Sequence, residues 1–99
     1  MPTPTRLQRK RTRGYRLPEG AKSVTRPGPF GNPFPVSRFG DPAAHDEAIA
    51  RFRAWIEEPE QAPLVDRIRR ELRGRDLACY CAPGLPCHAD VLLEIANRD

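Results

Sequence analysis

Residues 77–97 read LACYCAPGLPCHADVLLEIAN, which is a short apolar run, a turn rich in proline, and an amphipathic segment. The apolar run covers residues 77–82 and lies between Asp76 and Pro83-Gly84, which is typical of a strand buried on both faces. Strands of that kind are more typical of parallel than of antiparallel sheets. Over residues 87–97 apolar side chains recur at helical spacing, so the stretch predicts a strand, a turn and a helix.

Two further helices are predicted upstream of this strand. Asp41-Pro42 is typical of an N-cap and a first helical position, and the apolar stripe that follows predicts a helix to about Glu58. Apolar residues at positions 64, 65, 68 and 72 predict a second helix, which Gly74 would end. With a short strand at 21–25, this order predicts a small single α/β domain with a short, mostly parallel sheet and about three helices.

Composition excludes several classes of protein. A chain of 99 residues has room for one small domain. No run approaches the ~20 apolar residues of a membrane span, and no apolar segment follows the basic N-terminus as in a secretory signal. Three cysteines are an odd number, which makes a disulfide framework a poor explanation. We therefore expect a cytoplasmic protein with no membrane partner.

The positive charge is concentrated at the N-terminus. Residues 1–16 carry six Arg or Lys and no acid, whereas the other 83 residues carry 11 bases and 13 acids. We therefore divide the chain into a basic N-terminal arm, residues 1–16, and a single α/β domain, residues 17–99. The arm shows no hydrophobic period, so we expect it to be disordered or loosely packed. It either contacts the phosphates of a nucleotide or nucleic acid, or is a solubilising tail.

Cysteine and histidine cluster around the turn before the last helix, and three explanations remain open. Cys79, Cys81, Cys87 and His88 together make a complete set of zinc ligands, although C-x-C-x5-C-H is an unusual spacing. Alternatively, Cys87 is a nucleophile and His88 an acid–base group or phosphate donor, because a helix N-terminus beside a parallel sheet favours anions and thiolates. In the third explanation the cysteines are small core residues.

A second cluster of candidate residues lies in the proline-rich loop before the first helix. Gly31 and Asn32 lie within the run GNPF, where the Asn amide either turns the backbone or contacts a base or sugar. Arg26 and Arg38 flank this loop and are candidates for binding phosphate, against the alternative of solvated charge. Asp90, in the first turn of the last helix, is a further candidate ligand-binding residue, although an acid is common there.

Four segments carry a resemblance to a known family. They are RLQRKRTRGYRLPEGA at 6–21, GNPF at 31–34, LRGRDLACYC at 72–81 and CHADVL at 87–92. In this order they resemble the family catalogued as domain of unknown function 4326, which is common in bacteriophages and bacteria. The resemblance implies a phage-like setting, with host cytoplasm as the location if the protein is phage-encoded. It also implies that the GNPF loop and the Cys79–His88 segment form one site.

The sequence thus predicts binding or processing of a nucleotide-like, phosphorylated ligand, and whether the protein is an enzyme stays open. Arg26 and the N-terminus of the last helix would hold phosphate, Asn32 would contact the base or sugar, and Cys87 with His88 would perform any chemistry. The alternatives are a non-enzymatic, zinc-stabilised module that binds nucleic acid, and a phage protein that sequesters a host component. No cofactor is certain, and zinc is the candidate.

Overall fold

The computed structural model describes residues 4–10, 13–25, 28, 30–34, 36–81 and 84–98. These residues form a three-stranded sheet, three α-helices and one turn of 3-10 helix, which is the predicted small α/β architecture. The strands are β1 (Arg6–Gln8), β2 (Lys22–Ser23) and β3 (Leu77–Cys79). The helices are α1 (Pro42–Ile56), α2 (Ala62–Leu72) and α3 (His88–Asn97), with the 3-10 turn at Pro59–Gln61.

The helix boundaries follow the sequence signals closely. Asp41 caps α1, because its carboxylate accepts the backbone N–H of Ala43 at 3.1 Å. The helix ends at Ile56, two residues before the predicted end. After Leu72, Gly74 adopts a positive φ of 77°, the left-handed conformation in which glycine commonly ends helices. Cys87 is the N-cap of α3 rather than its first residue.

Strand β3 lies at the centre of the sheet, and both of its neighbours run parallel to it. The strand order is β1-β3-β2, with Gln8 opposite Cys79 and Ser23 opposite Ala78. All three β3 residues are buried, at 0–2% exposure, as predicted for a strand covered on both faces. The carboxyl ends of the three strands therefore meet at one edge of the sheet, which is the edge where parallel sheets bind ligands.

The helices complete a single core against this sheet. Helix α3 packs on α1, α2, β1 and β3, and so lies at the centre of the fold. The largest fully buried side chains come mainly from the three helices and β3, and they include Phe52, Ile56, Ile68, Leu72, Leu77 and Leu92. Within the described residues, no helix is both long enough and apolar enough to cross a membrane.

The N-terminal segment differs from the sequence expectation of a loosely packed arm. Arg6–Gln8 form an edge strand of the sheet, and the pairing continues on either side of it. Leu77 N–H donates to the carbonyl of Thr5 at 3.0 Å, and Arg9 N–H donates to the carbonyl of Cys79 at 2.6 Å. The physical reason is that a buried central strand needs hydrogen-bond partners on both edges, and β2 covers only one. Part of the basic segment is therefore structural.

Deleting residues 1–9 should destabilise the protein, because it removes β1 and leaves one edge of β3 without partners. We expect the melting temperature to fall by about 10 °C or more, since each kcal/mol shifts it by roughly 4–8 °C in a domain of this size. Thermal unfolding followed by circular dichroism measures this. The double variant Arg13→Gln/Arg16→Gln is the control, because it removes two exposed charges of the same segment. A deletion that costs no more than this control would show that β1 is dispensable.

Candidate functional site

The three cysteines converge at the carboxyl end of β3. Cys79 is the last residue of that strand, Cys81 follows two residues later, and Cys87 caps α3. Their Sγ atoms all lie within 4.8 Å of one another, and those of Cys79 and Cys87 are 3.0 Å apart. Cys79 and Cys87 are buried, whereas Cys81 is half-buried. Three sulfurs at such distances could bind a metal ion.

The environment separates the acidities of the three thiols. Hydrogen bonds from Cys79 and Cys81 to the Cys87 sulfur lower the pKa of Cys87, and His88 acts in the same direction when its ring carries both protons. Hydrogen bonding to Cys81 and Cys87, together with burial, raises the pKa of Cys79. The pKa of Cys81 is raised to about 11: a hydrogen bond with Cys79 lowers it, but the hydrogen bond with Cys87 and burial together outweigh that effect. The first proton to leave the cluster therefore leaves Cys87.

The hydrogen bonds of His88 fix which of its ring nitrogens is free to act. Nε2 lies 2.8 Å from the carbonyl oxygen of Val24, and a carbonyl can only accept, so Nε2 carries a proton. In the neutral ring Nδ1 then carries the lone pair, 3.7 Å from the Sγ of Cys87. His88 can therefore present an acceptor or metal-ligating nitrogen toward the cysteine cluster.

His45 lies beside the same cluster but has the opposite tautomer. Its Nε2 accepts the backbone N–H of Gly40 at 3.0 Å, so the proton is on Nδ1. Nδ1 lies 3.1 Å from the Pro86 carbonyl oxygen, to which it donates, and 3.7 Å from the Sγ of Cys81. With 1% exposure and both nitrogens bonded, His45 is a structural histidine that supports the turn before α3.

A pocket of about 470 Å³ opens at this edge of the sheet. Its lining includes Asn32 from the GNPF loop together with Cys87 and His88, so the two sequence motifs do converge on one cavity. Further lining residues are the aromatic Phe34, Phe39 and Tyr80, and the polar Thr25. The volume suits a small organic ligand, and the mixture of aromatic and convergent polar groups is typical of ligand sites.

Asn32 has a clear structural use in this wall. Its Oδ1 accepts the backbone N–H of Phe34 at 2.8 Å, and its Nδ2 donates to the carbonyl of Ala48 in α1 at 3.4 Å. The amide therefore turns the loop and ties it to α1, and the residue is buried, with 8% exposure. Of the two roles considered for Asn32, the structure displays the turning of the backbone.

The other residues that the sequence predicted for the site are not among the described residues that line the pocket. Asp90 accepts the backbone N–H of Cys87 at 3.4 Å and forms an ion pair with Arg6 at 3.2 Å, so its carboxylate caps α3. Gly31 donates its N–H to the carbonyl of Gly28 within the loop, and Arg38 is exposed. Arg26 lies outside the described residues.

Sequence reasoning missed one residue that the structure places next to the pocket. Arg9 follows β1, and its guanidinium contacts both Thr25 and Tyr80. In the sequence it was one of six positive charges without a period, and no local signal distinguishes it from its neighbours. Only the register of β1 against β3 reveals its position.

Replacing Asn32 with Ala should destabilise the pocket wall, because the Phe34 N–H and the Ala48 carbonyl then lose their partner in a buried environment. The expected cost is about 1–3 kcal/mol, which corresponds to a fall of several degrees in melting temperature. Arg38→Gln, at an exposed position near the same loop, should leave the melting temperature unchanged. An Asn32→Ala variant as stable as the parent would contradict the structural role of the amide.

The comparison with protein families agrees with the resemblance found in the sequence. A family model described as "Domain of unknown function (DUF4326)" matches residues 7–98, which is nearly the whole chain. No curated protein and no solved structure shows a significant match. The matched segment begins within β1 and includes the GNPF loop and the whole cysteine cluster, so the chain belongs to the family of domains of unknown function DUF4326.

Proposed function

We propose that the chain is a zinc-stabilised module whose metal centre borders a pocket for a nucleotide-like, phosphorylated ligand. Cys79, Cys81, Cys87 and His88 would hold the ion. The observation that carries the proposal is the convergence of the three sulfurs within 4.8 Å of one another, beside a histidine nitrogen with a free lone pair.

The three sulfurs form a group that suits tetrahedral coordination, whereas His88 Nδ1 lies outside that group and would have to move closer to Cys79 and Cys81 to complete it. With Zn–S bonds of about 2.3 Å, the sulfurs of a tetrahedral site lie about 3.8 Å apart, and an S···N edge is about 3.5 Å. The Cys87 Sγ to His88 Nδ1 distance of 3.7 Å is close to such an edge. The Cys79–Cys87 distance of 3.0 Å would have to widen by less than about 1 Å, a small rotation of either side chain.

The surroundings of the four residues suit metal ligands. Zinc-bound histidines commonly donate their second ring N–H to a carbonyl, as His88 does to Val24. A centre with three thiolates and one neutral histidine carries a net charge of about −1. The Arg6 guanidinium favours the Cys81 thiolate, but the hydrogen bond with Cys87 and burial still raise the pKa of Cys81 overall, so a bound zinc ion would have to displace that proton. His45 Nδ1–H would support Cys81 from the other side.

The proposal assigns the ion a structural role. Four protein ligands leave no open position for a substrate, which is the usual arrangement of structural zinc sites. The ligands come from the end of β3 and the start of α3, so the ion would fasten the central strand to the central helix. A domain of 99 residues has a modest core, and such domains gain stability from a metal. Zinc–thiolate centres also suit the reducing cytoplasm, where we place the protein.

The pocket beside the centre supports the ligand part of the proposal. It lies at the carboxyl edge of a parallel sheet, and the residues Phe34, Phe39 and Tyr80 would offer aromatic surface to a base. Lys10 and Arg13 are exposed and would extend contacts to the phosphates of a longer nucleic acid.

A second candidate function is thiol chemistry at Cys87. The observation that favours it is that Cys87 lines the pocket at the N-terminus of α3, next to His88. In that case the cysteines hold no metal, and Cys87 acts on the bound ligand as a nucleophile. The experiment on metal content separates the two functions.

Protein purified in a reducing buffer without chelator should contain about one zinc per chain, measured by inductively coupled plasma mass spectrometry. Cys79→Ser and His88→Gln should each lower the zinc content, whereas Arg38→Gln, at an exposed position, is the control and should retain it. Cobalt substitution should give the visible spectrum of a tetrahedral thiolate site. Chelation should lower the melting temperature by about 10 °C or more, because structural zinc contributes directly to folding free energy.

Two results would contradict the zinc centre. Metal-free protein in which a thiol reagent labels Cys87 selectively, read by mass spectrometry, would favour the functional thiol. Metal-free protein in which all three cysteines stay protected, with no effect of chelator, would show that they are core residues.

A further inference from the structure

We propose that Arg9 is the residue that binds the phosphoryl group of the ligand, at the edge of the sheet where the pocket opens. This inference deepens the proposed function and rests on it in one respect, that the pocket is a ligand site. It does not depend on the presence of zinc.

The position of Arg9 follows from the register of the sheet. Gln8 lies opposite Cys79, so the next pair across the β1–β3 ladder is Arg9 and Tyr80, whose side chains share one face. The Arg9 guanidinium carbon lies 5.0 Å from the centre of the Tyr80 ring, which is a cation–π contact. Nη1 then reaches β2 and its extension, where it donates to Ser23 Oγ at 3.0 Å and Thr25 Oγ1 at 3.2 Å. One side chain therefore spans all three strands at their carboxyl ends.

The partners of Arg9 hold its geometry but leave its charge unbalanced. Four other arginines, Arg6, Arg51, Arg53 and Arg67, each form an ion pair with a carboxylate. Across the residues that the structure describes, Arg9 has no carboxylate within ion-pair distance, and its contacts are two neutral hydroxyls and an aromatic ring. Its Nε is buried and has no hydrogen-bond partner among the described residues. A partly buried cation of this kind gains from an anion that supplies the missing charge.

The two hydroxyls add a second donor to the arrangement. Ser23 Oγ and Thr25 Oγ1 lie 3.0 Å apart, and both accept from Arg9 Nη1. One of the two hydroxyl protons serves the bond between them, which leaves the other proton for an external acceptor. A phosphoryl oxygen would accept from this hydroxyl while the outer guanidinium nitrogen, Nη2, donates to the same group.

The alternative place for phosphate, the N-terminus of α3, is already occupied by the protein. The Asp90 carboxylate lies there, on the N–H of Cys87, and it would repel a second anion. Arg9, by contrast, contacts Thr25 and Tyr80, and both residues line the pocket. A ligand with its base or sugar in the pocket would therefore place its phosphoryl group over the Arg9 side of the sheet edge.

The test is a titration of the full chain, as purified, with inorganic pyrophosphate, followed by two-dimensional ¹H–¹⁵N NMR. The backbone amides of Thr25 and Tyr80 and the Nε–Hε signal of Arg9 should shift together. Arg9→Gln should weaken binding by about tenfold or more, since it removes a charge-assisted donor pair. Arg9→Lys keeps the charge but lacks the planar guanidinium, so its affinity for pyrophosphate should lie between those of the parent protein and Arg9→Gln. Arg16→Gln is the matched control, with the same charge change at an exposed position, and should stay within about twofold.

Two outcomes would overturn the subsite. Shifts confined to other residues would place the anion elsewhere, and equal weakening by Arg9→Gln and Arg16→Gln would reduce the effect to diffuse attraction. If Arg9→Gln fails to fold, the affinity of Arg9→Lys and the shift of the Nε–Hε signal in the parent protein still show whether Arg9 binds the anion. Zinc content is measured on the same samples. Pyrophosphate binding without zinc would overturn the metal centre alone, and zinc without pyrophosphate binding would overturn the subsite alone.

Discussion

The fold depends on satisfying the backbone of β3, a strand of only three residues that is covered on both faces and both edges. Its N–H and C=O groups cannot reach water, so each needs a partner within the chain. Distant segments supply those partners: Thr5 accepts from Leu77, and Val24 donates to Ala78. Because β1 and β2 are recruited parallel to β3, residues just after each strand arrive at the same edge of the sheet. The candidate site is built from those residues.

The same constraint explains why the cysteines are close together. Cys79 is the last residue of the buried strand β3. Because α3 packs directly on β3, the short connection between them must bring the chain back to the end of the strand. The return places Cys87 at the N-cap of α3, in contact with Cys79. His88 then donates to the carbonyl of Val24, the residue that follows β2. This hydrogen bond ties the end of β2 to the N-terminus of α3.

The helices and β3 could be predicted because their signals are local. The apolar periods of α1, α2 and α3 and the Asp41 cap are legible in the sequence, as is the apolar run of β3. Strand β1 could not be predicted, because Arg6-Leu7-Gln8 is too short and too polar to show a period. Its conformation is imposed by the unpaired edge of β3, which is a tertiary effect. The convergence of the GNPF loop with the cysteine segment was predicted from the family resemblance, whereas the role of the Asn32 amide required its partners to be seen.

The arginines of the basic N-terminal segment have different roles, although a count of charges treats them as equivalent. Because side chains alternate along a strand, Arg6 and Arg9 leave β1 on opposite faces of the sheet. Arg6 meets Asp90 of α3 on the side of the cysteine cluster, and Arg9 crosses Tyr80 to the hydroxyls of β2 on the other. Of two positive charges that look equivalent in the sequence, one thus pairs with Asp90 of α3 and the other, in our proposal, binds the ligand. A strand of three residues is enough to separate them, because its register is fixed by β3.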